Sequence, residues 1–303
     1  MKTPRRVSYY PGCTLKSDAR HFEESAMLSF RALGIELEEL ERWNCCGTVF
    51  SFTTDNVMYH LAPVRNLLRV RELGNEMLLT LCSMCFNTLK RANALFNDDE
   101  VRRDKIVNIM YKENLQYDGK TRVVHGLELL RDEVGFDTLR QKAVPGLKGL
   151  NLAAYYGCML LRPEGIGIDD PENPSIFEEA LDAMGADVAQ FPLRNECCGA
   201  YQTAQEPEIT AARTFSLVQS ARSSGADAIV VSCPLCGFNL DQRQALTERM
   251  YKNYDRIPIL YFTECLALSL GIEYRDSWKE LHYVPVDEIL QKLEKARAMT
   301  KSK

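Results

Sequence analysis

Residues 77–85, Met77-Leu78-Leu79-Thr80-Leu81-Cys82-Ser83-Met84-Cys85, run a short apolar segment straight into a C-x2-C pair. Residues 226–236, Ala226-Asp227-Ala228-Ile229-Val230-Val231-Ser232-Cys233-Pro234-Leu235-Cys236, do the same. A brief apolar run that stops at small, polar or proline residues reads as a buried strand, and here each strand delivers two thiols to the loop behind it. Working outward, the rest of the chain repeats as well. Cys13, Cys45, Cys46, Cys82 and Cys85 form C-x31-CC-x35-C-x2-C. Cys158, Cys197, Cys198, Cys233 and Cys236 form C-x38-CC-x34-C-x2-C. The flanks agree: Tyr9-Tyr10-Pro11-Gly12-Cys13 answers Tyr155-Tyr156-Gly157-Cys158, and Trp43-Asn44-Cys45-Cys46-Gly47 answers Asn195-Glu196-Cys197-Cys198-Gly199. Leu81-Cys82-Ser83-Met84-Cys85-Phe86-Asn87 answers Ser232-Cys233-Pro234-Leu235-Cys236-Gly237-Phe238-Asn239. One unit used twice explains ten of the eleven cysteines.

The remaining elements follow the same order in both halves. Residues 7–10 read as a strand that ends at Pro11-Gly12 and leads to Cys13. Ser17 is positioned to cap a helix carrying Phe22, Met27, Leu28, Phe30 and Leu33 and closed by Gly34. Residues 35–40 read as a strand before the first Cys-Cys pair, 57–73 as a helix with Pro63 near its start, and 77–81 as the strand before Cys82. In the second half the corresponding segments are strands 152–156, 187–191 and 226–231 and helices 177–184 and 209–221. Strands alternating with helices predict βαβ units and parallel sheets, whose ligand crevice lies at the carboxyl ends of the strands. The expected fold is α/β: two duplicated βαβ-type domains related by a pseudo-twofold repeat, 1–145 and 146–303, with a boundary near Val144-Pro145-Gly146. The second half has the longer first gap, 38 residues against 31, and the excess falls in a Gly/Pro/acidic loop around residues 163–174. The first half has a charge-rich addition at residues 97–120, read as a solvated helix and loop.

Composition narrows the function. A chain of 303 residues with 46% hydrophobic and 26% charged residues is globular rather than disordered, and its net charge of −5 offers no basic face for nucleic acid. Its start, Met1-Lys2-Thr3-Pro4-Arg5-Arg6, is basic but lacks the apolar region of an export signal, and no stretch has the apolar length of a bilayer span. A soluble, cytoplasmic protein is expected, and there thiols stay reduced. Structural disulfides are further disfavoured by the odd number of cysteines in each half. Zinc prefers a closed set of four ligands and would leave a thiol over. Iron–sulfur clusters are held by several thiolates around a polynuclear core, and adjacent cysteines such as Cys45-Cys46 can serve two irons more readily than one tetrahedral ion. The spacing therefore favours clusters over zinc or dithiol chemistry.

The doubled motif, with glycine after each Cys-Cys pair, resembles the CCG domain, and two such domains in one chain resemble the catalytic B subunit of heterodisulfide reductase. The resemblance covers about residues 7–271. It implies two noncubane [4Fe–4S] clusters, one held by Cys13, Cys45, Cys46, Cys82 and Cys85 and the other by Cys158, Cys197, Cys198, Cys233 and Cys236. It further implies reduction of a disulfide, or oxidation of thiols, between the two clusters. A ferredoxin-like C subunit, together with a flavin-containing A subunit, would be its partners in a redox complex. The chain has no GxGxxG or Walker pattern, so flavin and nucleotide would sit on other subunits. It departs from the family at Met159, where a histidine often follows the first cysteine of the second motif; histidine could supply a proton to a departing thiolate and methionine cannot. The CCG domain also occurs in subunits tied to other oxidations, so a non-catalytic electron-transfer or scaffold subunit, with zinc in one half, is the alternative. Among other residues, Cys265 is expected to pack as a small hydrophobe and Arg162 to cap local carbonyls. His125 is read as packing or orienting a loop, and His21, His60 and His282 have no liganding spacing.

Overall fold

The computed structural model describes residues 4–48 and 56–301, so Met1-Lys2-Thr3 lies outside the described residues. Strand β1 (Arg5–Tyr10) is followed by helix α1 (Arg20–Ala32) and strand β2 (Ile35–Glu39). Next come α2 (Leu61–Glu72), β3 (Met77–Thr80), α3 (Ser83–Asp98), α4 (Glu100–Ile109) and β4 (Arg122–His125). The strands pair in parallel in the order β2-β1-β3-β4. After α5 (Gly126–Leu129) and α6 (Phe136–Lys142) the pattern restarts with β5 (Asn151–Tyr155), α7 (Ile176–Ala183) and β6 (Asp187–Val188). It continues with α8 (Pro207–Ser223), β7 (Ala228–Val231), α9 (Pro234–Gln242), α10 (Gln244–Met250) and β8 (Ile259–Tyr261). The second sheet, β6-β5-β7-β8, is again parallel and repeats the topology of the first. The chain ends through α11 (Phe262–Ser269), α12 (Asp276–Lys279) and α13 (Asp287–Lys301).

The central strands are buried on both faces, which is why β3 and β7 read as unbroken apolar runs rather than alternating ones. The halves share a core. Helix α1 of the first half packs on α11 of the second: Ser25 Oγ and Thr263 Oγ1 lie 2.6 Å apart, and Thr263 Oγ1 donates to the Phe22 carbonyl at 2.9 Å. Phe22 stacks on Tyr261 at 4.2 Å and meets the edge of Phe262 at 5.6 Å. Each such buried aromatic contributes about 1.5–3 kcal/mol through area alone.

Two local readings are corrected. Ser17 does not cap α1; it closes a single 3-10 turn, Thr14–Lys16, with its hydroxyl on the carbonyls of Cys13 and Thr14, and α1 starts after Ala19. Strand β6 is shorter than 187–191 because its ladder ends at Ala189, whose N–H reaches Leu152. The chain then swings over so that the Arg194 carbonyl accepts from Tyr156 and Gly157, in the turn that presents Cys158.

Candidate metal centre

Each half builds its cysteine site from three loops at the carboxyl ends of adjacent strands. The first loop leaves β1 or β5 through a glycine with left-handed backbone, Gly12 at φ +72° and Gly157 at φ +65°. A side chain there would also collide: a Cβ on Gly12 would lie 2.9 Å from Cys85 Sγ, and one on Gly157 would lie 3.3 Å from Cys236 Sγ. Glycine thus lets the backbone close against the last thiol of the same motif.

The second loop carries the Cys-Cys pair and is pinned by the last tyrosine of the central strand. Tyr10 Oη donates to the Asn44 carbonyl at 2.8 Å, and Tyr155 Oη donates to the Glu196 carbonyl at 2.6 Å. In the sequence these tyrosines stand out only as repeated flanks of Cys13 and Cys158, because residue identity does not show that a backbone acceptor comes within reach. The glycine after each pair is left-handed, Gly47 at φ +71° and Gly199 at φ +80°. That turn aims the Gly199 N–H at Cys197 Sγ, 3.3 Å away, and the Gly47 N–H at the Cys45 thiol. The third residue of the C-C-G signature is therefore a hydrogen-bond donor to the first sulfur.

The third loop is the C-x2-C turn. Cys82 and Cys233 occupy the N-cap positions of α3 and α9; the neighbouring thiols hold Cys233 below the ordinary thiol range, while Cys82, chiefly through Cys233, is pushed above it. The thiols then converge: Cys46 Sγ lies 3.5 Å from Cys85 Sγ, Cys198 Sγ 3.4 Å from Cys236 Sγ, and Cys158 Sγ 3.9 Å from Cys197 Sγ. Asn239 Nδ2 reaches both Cys198 Sγ at 3.5 Å and the Cys198 carbonyl at 3.4 Å. In the first half Cys13 and Cys45 are exposed while Cys46, Cys82 and Cys85 are buried. In the second half Cys158 and Cys197 are half-buried and the other three buried.

The two sets meet, which the sequence did not reveal. The thiols of Cys82 and Cys233 are hydrogen-bond neighbours across the halves. Beside them Ser83 Oγ lies 2.9 Å from Ser232 Oγ and donates to the Ser232 carbonyl at 3.1 Å. Crowding polarises the protons. Neighbouring thiols donate to Cys46, Cys197 and Cys233 and pull them below the ordinary thiol range: Cys45 acts chiefly on Cys46, Cys158 on Cys197 and Cys236 on Cys233. Cys45 and Cys158 are pushed up mainly as those donors, and Cys198 is raised to about 12, chiefly by Cys197. A cluster of thiols that alternates donor and thiolate is a donor set for cations, and five sulfurs per set suit a polynuclear thiolate-bound group better than one tetrahedral ion.

A small cavity opens onto the second set. Tyr156, Met159, Tyr201 and Leu235 line it, and so do Ser83 and Met84 from the first half. Asn87 of the first half secures this wall, with Nδ2 donating to the carbonyls of Met159 at 2.8 Å and Arg162 at 2.6 Å. Asn87 and Asn239, paired by sequence, do different work because they sit two and three positions after their cysteines and so point from different faces of α3 and α9. Arg162 caps the carbonyls of Asn195 and Pro171 and pairs with Glu172, holding the 163–174 loop against the residue before Glu196 and Cys197. His125 is fully buried. Its Nδ1 accepts from Leu127 N–H, so Nε2 carries the proton and donates to the Leu81 carbonyl at 2.8 Å, immediately before Cys82. Burial lowers its pKa to about 4. Cys265 is buried and apart from the ten. His21 and His282, in contrast, are brought together, with ring centroids 4.8 Å apart.

Comparison with known proteins gives a consistent picture. Residues 7–90 and 152–241 each match the CCG cysteine-rich domain. The chain is 32% identical over 273 residues to the 8-methylmenaquinol:fumarate reductase membrane anchor subunit of Wolinella succinogenes, covering 90% of this chain and 94% of that one. It is 29% identical over 299 residues to a protein of Archaeoglobus profundus described as like the B subunit of heterodisulfide reductase, covering 95% and 98%. It is 28% identical to the B subunit of the ferredoxin/F(420)H(2)-dependent CoB-CoM heterodisulfide reductase of Methanosarcina acetivorans, covering 95% and 97%. A solved structure of a hypothetical protein from Helicobacter pylori shares the fold, with a TM-score of 0.70 at 12% identity over 92% of this chain. The chain spans about half of that protein, 52% of its length. Among the described residues no helix is long and apolar enough to cross a membrane.

Proposed function

Because the chain belongs to the CCG cysteine-rich domain family, we propose that it is a redox subunit of the heterodisulfide reductase B kind, one that reduces a small disulfide or oxidises the matching thiols within a larger complex. Cys13, Cys45, Cys46, Cys82 and Cys85 would hold one noncubane [4Fe–4S] cluster, and Cys158, Cys197, Cys198, Cys233 and Cys236 the other. The chain then divides into two units near Val144-Pro145-Gly146, one cluster to each. The observation that carries this reading is the junction of the two thiol sets at Cys82 and Cys233, braced by Ser83 and Ser232.

Disulfide reduction consumes two electrons and two protons and breaks one S–S bond to give two thiols. Clusters, when bound, supply one-electron steps and irons that can take up sulfur. The protein positions and dries the site: Ser83, Met84, Met159 and Leu235 enclose the second set. Tyr201 lines the same cavity, but burial together with the neighbouring thiolates raises its hydroxyl to about 12, which makes it too weak an acid to protonate a departing thiolate, so that proton would come from solvent or the substrate's own surroundings. Met159 leaves that task to another group. The partners would be a ferredoxin-like protein and a flavin-containing one, both on the cytoplasmic side.

The similarity to a fumarate reductase membrane anchor favours a second reading, in which the same two sites only relay electrons. The deciding experiment is anaerobic purification of the complex followed by iron analysis and turnover with an artificial donor and a panel of disulfides. About eight irons per chain, as two four-iron clusters require, with disulfide-dependent donor oxidation, supports the proposal. Eight irons without turnover, or about four irons with one sulfur-bound zinc, supports the relay reading, and an iron count well below eight without such zinc sinks both.

A further inference from the structure

Behind the cysteine sites lies a buried cluster that their chemistry does not use. His21 stands at the start of α1, Glu264 in α11 and His282 in the loop after α12, so three distant segments supply it. One ring nitrogen from each histidine and one carboxylate oxygen lie within 4.8 Å of one another. His282 Nε2 is 3.0 Å from Glu264 Oε1, and Tyr274 Oη is 2.9 Å from the same Nε2. The groups lie at the floor of a cleft and are nearly covered: the side chains of His282 and Glu264 are 2% and 0% exposed.

Their outer contacts are those of oriented ligands. The second oxygen of Glu264 is fixed by the Tyr261 N–H at 2.8 Å, which leaves Oε1 facing the histidines. His282 also bonds the Ile259 backbone carbonyl, while its Nδ1 lies 3.8 Å from Asp241 Oδ2, beyond hydrogen-bond reach, and Asp241 is held instead by the N–H groups of Tyr283 and Val284 at 2.9 and 2.8 Å. An imidazole bonded to a backbone carbonyl is one of the usual supports of a histidine metal ligand. His21 Nδ1 is buried with no hydrogen-bond partner, an orphan that costs about 1–3 kcal/mol unless a ligand takes it up. Among the described residues, neither Glu264 nor Asp241 pairs with a lysine or arginine. The positive charge beside these two buried carboxylates is a proton that Glu264 holds on His282, and a divalent cation would take that proton's place.

We propose that His21, Glu264 and His282 bind a divalent cation of the zinc class, with the Tyr274 hydroxyl or a water completing the set. Two imidazoles and one carboxylate exclude the all-oxygen preference of calcium and magnesium and match the nitrogen and oxygen donors zinc takes. Entry is available through an open cleft lined by Asp18, His21, Asp241, Phe238, His282 and Tyr283. The ion would tie α1 of the first half to α11 and the His282 loop of the second, next to the Pro234-Leu235 turn that also lines the cleft. The site does not depend on whether the cysteines hold clusters.

The test is zinc analysis and zinc-edge X-ray absorption on the full chain, expressed in zinc-supplemented medium and purified anaerobically with its clusters. The expected result is about one zinc per chain with nitrogen and oxygen neighbours at about 2.0–2.1 Å. The variants Glu264→Gln and His282→Asn should lose the zinc while keeping the iron. The absorption measurement on the unaltered protein stands even if the buried variants do not fold. Absence of zinc, or zinc with sulfur neighbours at about 2.3 Å, overturns the proposal. Eight irons with no zinc would sink this site alone, and zinc on nitrogen and oxygen without iron would sink the cluster reading alone.

Discussion

Replacing Gly12 by alanine separates two costs that most glycine substitutions confuse. The backbone cost is set by φ +72°, a left-handed conformation that disfavours a Cβ by about 1–2 kcal/mol. The steric cost is set by Cys85 Sγ, 2.9 Å from where the Cβ would sit, against an ordinary contact of about 3.5 Å. The thiol must retreat by about 0.6 Å, three times the ~0.2 Å tolerance of a metal–ligand distance. Gly157→Ala carries the same backbone cost at φ +65° but places its Cβ 3.3 Å from Cys236 Sγ, so the displacement is only about 0.2 Å. Gly34→Ala is the control, with φ +87° and nothing within 4 Å. All three should lose the backbone's about 1–2 kcal/mol in denaturant titrations, Gly34→Ala no more than that and Gly12→Ala the most, because of the added clash with Cys85. Iron per chain should fall sharply in Gly12→Ala, modestly in Gly157→Ala and not at all in Gly34→Ala. Full iron in Gly12→Ala, or an equal loss in Gly12→Ala and Gly157→Ala, would refute the claim that close approach of this turn positions the thiol.

Three further outcomes follow from the same contacts. Asn87→Ala strips donors from the Met159 and Arg162 carbonyls and should destabilise the chain by about 1–3 kcal/mol; limited proteolysis should then cut first in the 163–174 loop, and an unaltered cleavage pattern would contradict the bracing role. Cys265→Ala should leave iron content unchanged and cost about 1 kcal/mol of stability, while any loss of iron would place Cys265 among the ligands. His125 is lowered to about 4 by burial, so the unfolded chain takes up a proton first as pH falls below its ordinary 6.5; stability is full above that value and declines toward pH 4, by about 2 kcal/mol at pH 5. Denaturation at pH 7.5 and pH 5 should show this slope in the parent and a flatter one in His125→Asn, and parallel slopes would assign the pH effect elsewhere.

The fold was legible because the repeat is written in residues whose chemistry tolerates little drift. Cysteine spacing, the strand before each C-x2-C pair and the glycines before and after the cysteines all carry local constraints, and they appear as β1 to β8 with the thiols at one end of each sheet. The illegible features depend on docking. Contact between Cys82 and Cys233 exists only because the two sheets meet at Ser83 and Ser232, and no periodicity encodes that meeting. His21, Glu264 and His282 are spread over most of the chain, so no local ligand spacing marks them. His125 lay between packing and orienting in the sequence; the backbone around Leu127 fixed its tautomer and with it the bond to the Leu81 carbonyl.

Duplication has produced one ligand pattern in two environments, and the difference bears on how electrons would divide. The first set leaves Cys13 and Cys45 exposed, whereas the second is roofed by Tyr201, Met159 and the first half's Met84 and braced by the longer loop through Arg162. Reduction adds negative charge to a thiolate-bound centre, so burial alone makes the second site the harder to reduce. Donors to sulfur act in the opposite sense, and both sites have them: Gly47 N–H on Cys45 and Thr48 Oγ1, 2.8 Å from Cys46 Sγ, in the first, and Gly199 N–H on Cys197 and Asn239 on Cys198 in the second. Asn239 has no counterpart in the first half, where Thr88 occupies that helical position and turns its hydroxyl to the Met84 carbonyl instead. Were each set to hold a cluster, the potential gap between them would be tuned by residues outside the shared cysteines, with Thr48 beside Cys46 and Asn239 beside Cys198 the side chains nearest the sulfurs.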